Sequence, residues 1–241
     1  MLRSFDDLVR YQARMGEDRF PITDLLFNAQ DGALKYLMVD TGGWLDSQQA
    51  LVAASLVGEM TVDTAEVVLK ATPEEFAQAP RWEGEHQPLF PILSNLPPLV
   101  VGPFGGTYAP LALAAEIDAE TDAEDADRDP RAEAAMKRFE TAKSWLGVDI
   151  FGRDGALGVL DDLLLDPETG RITHLVIDNG KVLSGKLLVV PYSVLRYRAG
   201  GGHLVLDTNA EALGKAPQID QIDRLERHWH HDVHNYYMIP V

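Results

Sequence analysis

The sequence predicts a mainly β chain built from two tandem small β-barrels, and three observations lead there. Residues 23–43, "TDLLFNAQDGALKYLMVDTGG", align without a gap on residues 161–181, "DDLLLDPETGRITHLVIDNGK". Seven of these 21 pairs are identical, among them Asp24/Asp162, Gly32/Gly170, Asp40/Asp178 and Gly42/Gly180, which marks an internal duplication. A unit of about 70 residues points to tandem domains instead of a solenoid of short repeats. Within each copy, short apolar runs alternate with Gly, Pro and Asp turns, the pattern of many short strands in a barrel or sandwich. The expected architecture is two such barrels with an inter-domain linker, one linker helix and a short C-terminal helix.

The elements follow in order. In the second copy "LGVLDDLLLD" and "RITHLVID" are strands joined by "DPETG", where Pro167 and Gly170 supply turn geometry. By strand alternation Leu175 and Ile177 face one way, His174 and Val176 the other. "KLLVVPYSVLRYR" and "GGHLVLDT" continue as strands, separated by the glycines at 200–202. The first copy reads "LVAASLVGEM" where the second reads "VVPYSVL" and so lacks the proline. Each copy closes on a short helical turn. Thr72 can cap one, with Pro73 at its first position; Thr208 or Asn209 can cap the other.

The succession "DLLLD…TGRITHLVIDNG", "KLLVVPYSVL" and "HLVLDTNAEALGKAP" resembles the PRC-barrel domain over residues 2–80 and 144–218, with the second copy the better fit. The resemblance implies a small β-barrel of the kind found in the cytoplasmic part of the photosynthetic reaction-centre H subunit and at the C-terminus of the ribosome-maturation factor. The family has no common catalytic residue set, so it implies no active-site residues here. The domains are expected at 1–82 and 144–220, separated by residues 83–143 and followed by a His-rich segment, 221–241.

The middle is of another character. Residues 90–113 are apolar but rich in Pro and Gly, and are read as a strap across barrel edges, with a docking surface for a partner or a membrane face as the alternative. Residues 116–129 carry eight acidic residues and one arginine, as a solvated linker would, or an acidic docking tail. The stretch 129–147 then reads as an amphipathic helix: Asp129 as N-cap, Pro130 at the first position, Met136 and Phe139 on one face, Gly147 at the end.

Composition narrows the function. The net charge of −17 disfavours direct nucleic-acid binding, which draws its affinity from Lys and Arg at phosphates. With no cysteine there is no thiolate nucleophile or ligand. The apolar stretch 96–115 is broken by prolines and glycines, so no membrane span is expected, and a cytoplasmic location is.

The ligand-like cluster is "ERHWHHDVHNYY", where His230 and His234 share a helical face at metal-ligand spacing, with His228, His231 and Asp232 nearby. Ile222, Leu225 and Trp229 form an apolar stripe that instead docks such a helix on a barrel, leaving the histidines in water. His230 and His234 are therefore weak metal candidates, and no cofactor is expected. Asp24/Asp162 and Asp40/Asp178 look like acid–base pairs, yet each lies at a strand start or strand-to-turn junction, where Asp accepts backbone N–H bonds.

The expectation is a non-enzymatic interaction or assembly module binding another protein, and, by analogy with the H subunit, a membrane-bound electron-transfer or photosynthetic complex. A metal- or small-ligand-binding protein and a ribosome-assembly adaptor are the alternatives. Peripheral membrane association is compatible with this, and a duplicated surface leads us to expect the two domains to pack as a pseudo-dimer.

Overall fold

The computed structural model describes residues 2–42, 49–72, 76, 81–82, 138–180, 187–216, 218–219, 233 and 236–237. The chain is mainly β. In chain order the elements are β1 (Arg3–Ser4), α1 (Phe5–Leu8), β2 (Gln12–Met15), β3 (Asp18–Asn28), β4 (Leu34–Asp40), β5 (Gln49–Ala53), β6 (Val57–Thr61), β7 (Glu66–Leu69) and β8 (Arg81–Trp82). There follow β9 (Phe139–Thr141), β10 (Asp149–Gly152), β11 (Gly155–Asp166), β12 (Arg171–Asp178), β13 (Leu187–Pro191), β14 (Leu195–Arg198), β15 (Leu204–Leu206), α2 (Ala210–Lys215) and β16 (Gln218–Ile219). Single 3₁₀ turns, Ala54–Leu56 and Tyr192–Val194, link β5 to β6 and β13 to β14.

Two sheets have the same plan. One runs β6-β7-β2-β3-β4-β5-β8 with β9 added to β3; the other runs β14-β15-β10-β11-β12-β13-β16 with β1 added to β11. The register repeats with an offset of 138 (24 to 162). Leu25 faces Leu37 as Leu163 faces Leu175, and Leu37 faces Val52 as Leu175 faces Val190. The irregularities recur as well: β3 shifts register between Ile22 and Asp24 and between Leu26 and Phe27, and β11 between Leu160 and Asp162 and between Leu164 and Leu165. Such bulges bend a strand and raise its twist, as a strongly coiled small sheet requires. Asp40 and Asp178 end equivalent strands, as the alignment requires.

The missing proline of the first copy changes little. Ala53 holds φ −55° and ψ 140°, against −60° and 145° for Pro191, and each leads into a 3₁₀ turn. The strand–turn–strand pattern is therefore present in both copies. Thr72 and Asn209 also start helical turns. The Phe76 amide donates to the Thr72 carbonyl, and Asn209 Oδ1 accepts from the Ala212 amide at 2.8 Å.

The helix expected over 129–147 does not run through its described part. Phe139–Thr141 is strand β9, paired antiparallel with Leu26, Phe27 and Asn28, and the Trp145 and Val148 amides close turns beyond it. Capping residues and a two-residue apolar face are weak helix signals. The free edge of β3 outweighs them by offering this segment inter-strand hydrogen bonds. Residues 129–137 lie outside the described residues, as do the strap at 90–113 and the acidic run at 116–129.

The chain divides into two compact units that are not contiguous in sequence. One contains Val9–Ala29 and Leu34–Thr141; the other contains Met1–Leu8, Gln30–Ala33 and Ala142–Val241. The N-terminal strand thus belongs to the second-repeat unit. There the apolar alternation gives way to burial on both strand faces: Leu175, Val176 and Ile177 are all inaccessible, and His174 nearly so. Leu2 and Leu187 pack on the cluster Leu164, Val176 and Val189. Trp145 is fully buried in the same unit and stacks on Tyr192 with ring centroids 6.1 Å apart.

Candidate functional site

The most concentrated polar chemistry among the described residues lies where β11 bulges. Sequence placed Asp24 and Asp162 at strand starts. The structure places both in mid-strand, because β3 and β11 are long strands that continue upstream of the bulge. The register shift between Leu160 and Asp162 turns the Asp162 carboxylate inward, to 2% exposure. A carboxylate in that position is costly unless its lone pairs are taken. Four donors take them. The Ser4 hydroxyl donates to Oδ2, and Oδ1 accepts from the Leu163 amide at 2.7 Å, the Phe5 amide at 3.1 Å and the Asp6 amide at 3.3 Å.

Three of the four donors come from the N-terminal segment. Ser4 also accepts from the Asp7 amide at 3.3 Å, so its hydroxyl caps the single turn of α1 while bonding Asp162. Arg3 and Ser4 pair with Leu165 and Leu164, and Phe5 and Leu8 are each only 1% exposed. Burial pushes the Asp162 carboxyl above the ordinary aspartate value; the Ser4 hydroxyl and the Leu163 and Asp6 amides pull it back. On the outer side Asp161 is also raised, by desolvation first and then by the negative charges of Asp178 and Asp6.

In the first-repeat unit Asp24 occupies the matching bulge, is nearly buried and accepts from the Leu25 amide at 2.8 Å. There β9 stands where β1 stands on β11: Thr141 is opposite Leu26 as Ser4 is opposite Leu164. Asp40 and Asp178 close turns, accepting from the Gly42 and Gly180 amides at 2.9 and 2.8 Å. Sequence reading foresaw the backbone partners of all four aspartates. It missed Ser4, which lies 158 residues from its partner, although "SFDD" carries the Ser-x-x-Asp signature of a helix start.

His228, His230, His231, Asp232 and His234 lie outside the described residues, so the metal candidates are not located. The C-terminal segment is helical at Val233, Tyr236 and Tyr237; Val233 is fully buried, and the Tyr236 hydroxyl donates to the Ala212 carbonyl at 2.7 Å. Among the described residues no group of three or more His, Asp or Glu side chains is placed to hold a metal. No helix among them is long and apolar enough to cross a membrane.

Fold and site together define a small β-barrel-type module whose buried carboxylate organises backbone and a neighbouring strand. Residues 138–213 match the family model of the PRC-barrel domain, and this part of the chain is a PRC-barrel domain. Among curated proteins no relative matches the chain.

Proposed function

We propose that the chain is a non-enzymatic interaction or assembly module in which the first repeat is a second PRC-barrel copy. The observation that carries this reading is the PRC-barrel match joined to what the polar side chains do. The recurring aspartates, the natural candidates for acid–base work, spend their lone pairs on backbone amides and on a capping serine. Support for the second copy comes from the common strand order and the shared bulge positions.

The partner is another protein in the cytoplasm, and the class we favour is a membrane-bound electron-transfer or photosynthetic complex, by analogy with the reaction-centre H subunit. The acidic charge suits docking on a basic protein surface more than on phosphate. The test is affinity purification of the tagged full chain from detergent-solubilised membranes and, separately, from the soluble extract. Stoichiometric subunits of an electron-transfer complex in the membrane arm are the expected result. Ribosomal subunits in the soluble arm would move the assignment to ribosome assembly. A chain that emerges alone from both arms would overturn the module reading.

A further inference from the structure

Each unit holds a strand that reaches it from elsewhere in the chain, and in the second-repeat unit the main anchors of that strand are defined. Its anchors are a two-residue antiparallel pairing with Leu164 and Leu165, the Ser4 hydroxyl and two amides on Asp162, Leu2 on the cluster Leu164, Val176 and Val189, and the buried side chains of Phe5 and Leu8. These are the parts of a peptide-binding groove: a strand edge for main-chain bonds, a polar reader, and burial for two apolar side chains on one face of a helical turn. The occupant is a short segment, residues 2–8, so the ordering of seven residues opposes a small number of contacts.

We infer that the Asp162 bulge of β11 is a slot for a segment that pairs as a short strand ending in a hydroxyl residue and then makes one helical turn, and that residues 2–8 are its detachable occupant held in cis. The chemistry it recognises is a Ser or Thr hydroxyl aimed at the carboxylate, an aromatic or apolar residue directly after it, and a second apolar residue three positions further on, as in Ser4, Phe5 and Leu8. The strand pairing of the slot is duplicated, since β9 sits on β3 at the matching register with Thr141 in the place of Ser4. Two different sequences therefore fill one kind of edge, as a reader of segment chemistry allows. The competing ligand in trans is the same segment of a second copy of this chain. The inference rests on reading the chain as an interaction module, and its test is separate from that reading.

The probe is a fluorescent peptide of residues 1–11, MLRSFDDLVRY, titrated against the full chain and against a full-chain variant lacking residues 2–8, whose fold is checked by circular dichroism. The variant should bind the peptide at least tenfold more tightly than the intact chain does, and a Ser4→Ala peptide should bind the variant about tenfold more weakly than the native peptide. Equal binding to both proteins, or no binding to a folded variant, overturns the slot even if the intact chain co-purifies with a partner. If the variant does not fold, hydrogen exchange on the intact chain decides. The Phe5 and Asp6 amides should exchange at least tenfold faster than the protected amides of β12, because the segment opens without the sheet. Exchange at the same rate as β12 makes the segment part of the core and overturns the inference.

Discussion

Gly158 and Gly170 are both glycines at positive φ in the second-repeat unit, yet they should answer mutation differently. Gly158 (φ 146°) lies beside the end of β12, where an added Cβ would come within 2.1 Å of the Asp178 carbonyl oxygen. Gly170 (φ 63°) is in an open turn where a Cβ would meet nothing. Gly158→Ala should therefore cost about 3 kcal/mol, from strain and clash together, and Gly170→Ala about 1 kcal/mol from strain alone. Urea melts of the two variants measure the difference, and equal losses would refute the clash. Ala53 is the converse case. It already holds the φ of the proline found at the equivalent position, and Val52 before it is in an extended strand, which a following proline favours. Ala53→Pro is expected to raise stability by about 0.5 kcal/mol through the unfolded chain, and a lowered melting midpoint would show that the Ala53 amide has a partner worth keeping.

At the level of elements, the outer side of the β11 bulge gathers negative charge. Asp161 is raised by its own desolvation and by Asp178 and Asp6, so its folded value lies above its unfolded one. For such a carboxyl the favourable contribution is complete below the unfolded aspartate value and is lost as pH rises through the folded one. Asp161→Asn should accordingly stabilise the protein at pH 7, by no more than about 0.5 kcal/mol because the group is solvent-exposed, and the gain should shrink to nothing as pH falls through the aspartate range. Chemical melts of both proteins across that range check it; a gain independent of pH would point away from charge. How far the elements were legible follows from what each depends on. The β3–β4 and β11–β12 hairpins were readable because alternation, turn residues and the repeat all act locally. β9 was not, since the stretch around Phe139 becomes a strand only when the edge of β3 is present to pair with it. The same holds for Ser4. Its capping signature is written in "SFDD", but the carboxylate that gives it a role is far along the chain, and no local pattern names it.

For the whole molecule, the principal result is that its compact units cut across the repeats. A fragment of residues 138–220 would keep its own strands but lose Leu2, Phe5, Leu8 and the Ser4 donor. Burying one large apolar side chain is worth about 2 kcal/mol, and ordering the segment offsets part of that. The same fragment with residues 1–8 fused ahead of it through a flexible linker should be about 3 kcal/mol more stable in denaturant, and no difference would mean that the exchanged strand contributes nothing. The path of the chain also sets an order of events during synthesis. Residues 2–8 leave the ribosome long before Asp162 and the β11 edge have been made, and at about 5–20 residues per second the interval is on the order of ten seconds or more. Through that interval three apolar side chains and a capping serine have no home, while the partner strand is still message. Residues 2–8 are thus made well before the edge that receives them. Their docking closes a loop spanning more than half the chain, so this contact of the second-repeat unit forms only after a wait that local strand pairing does not impose.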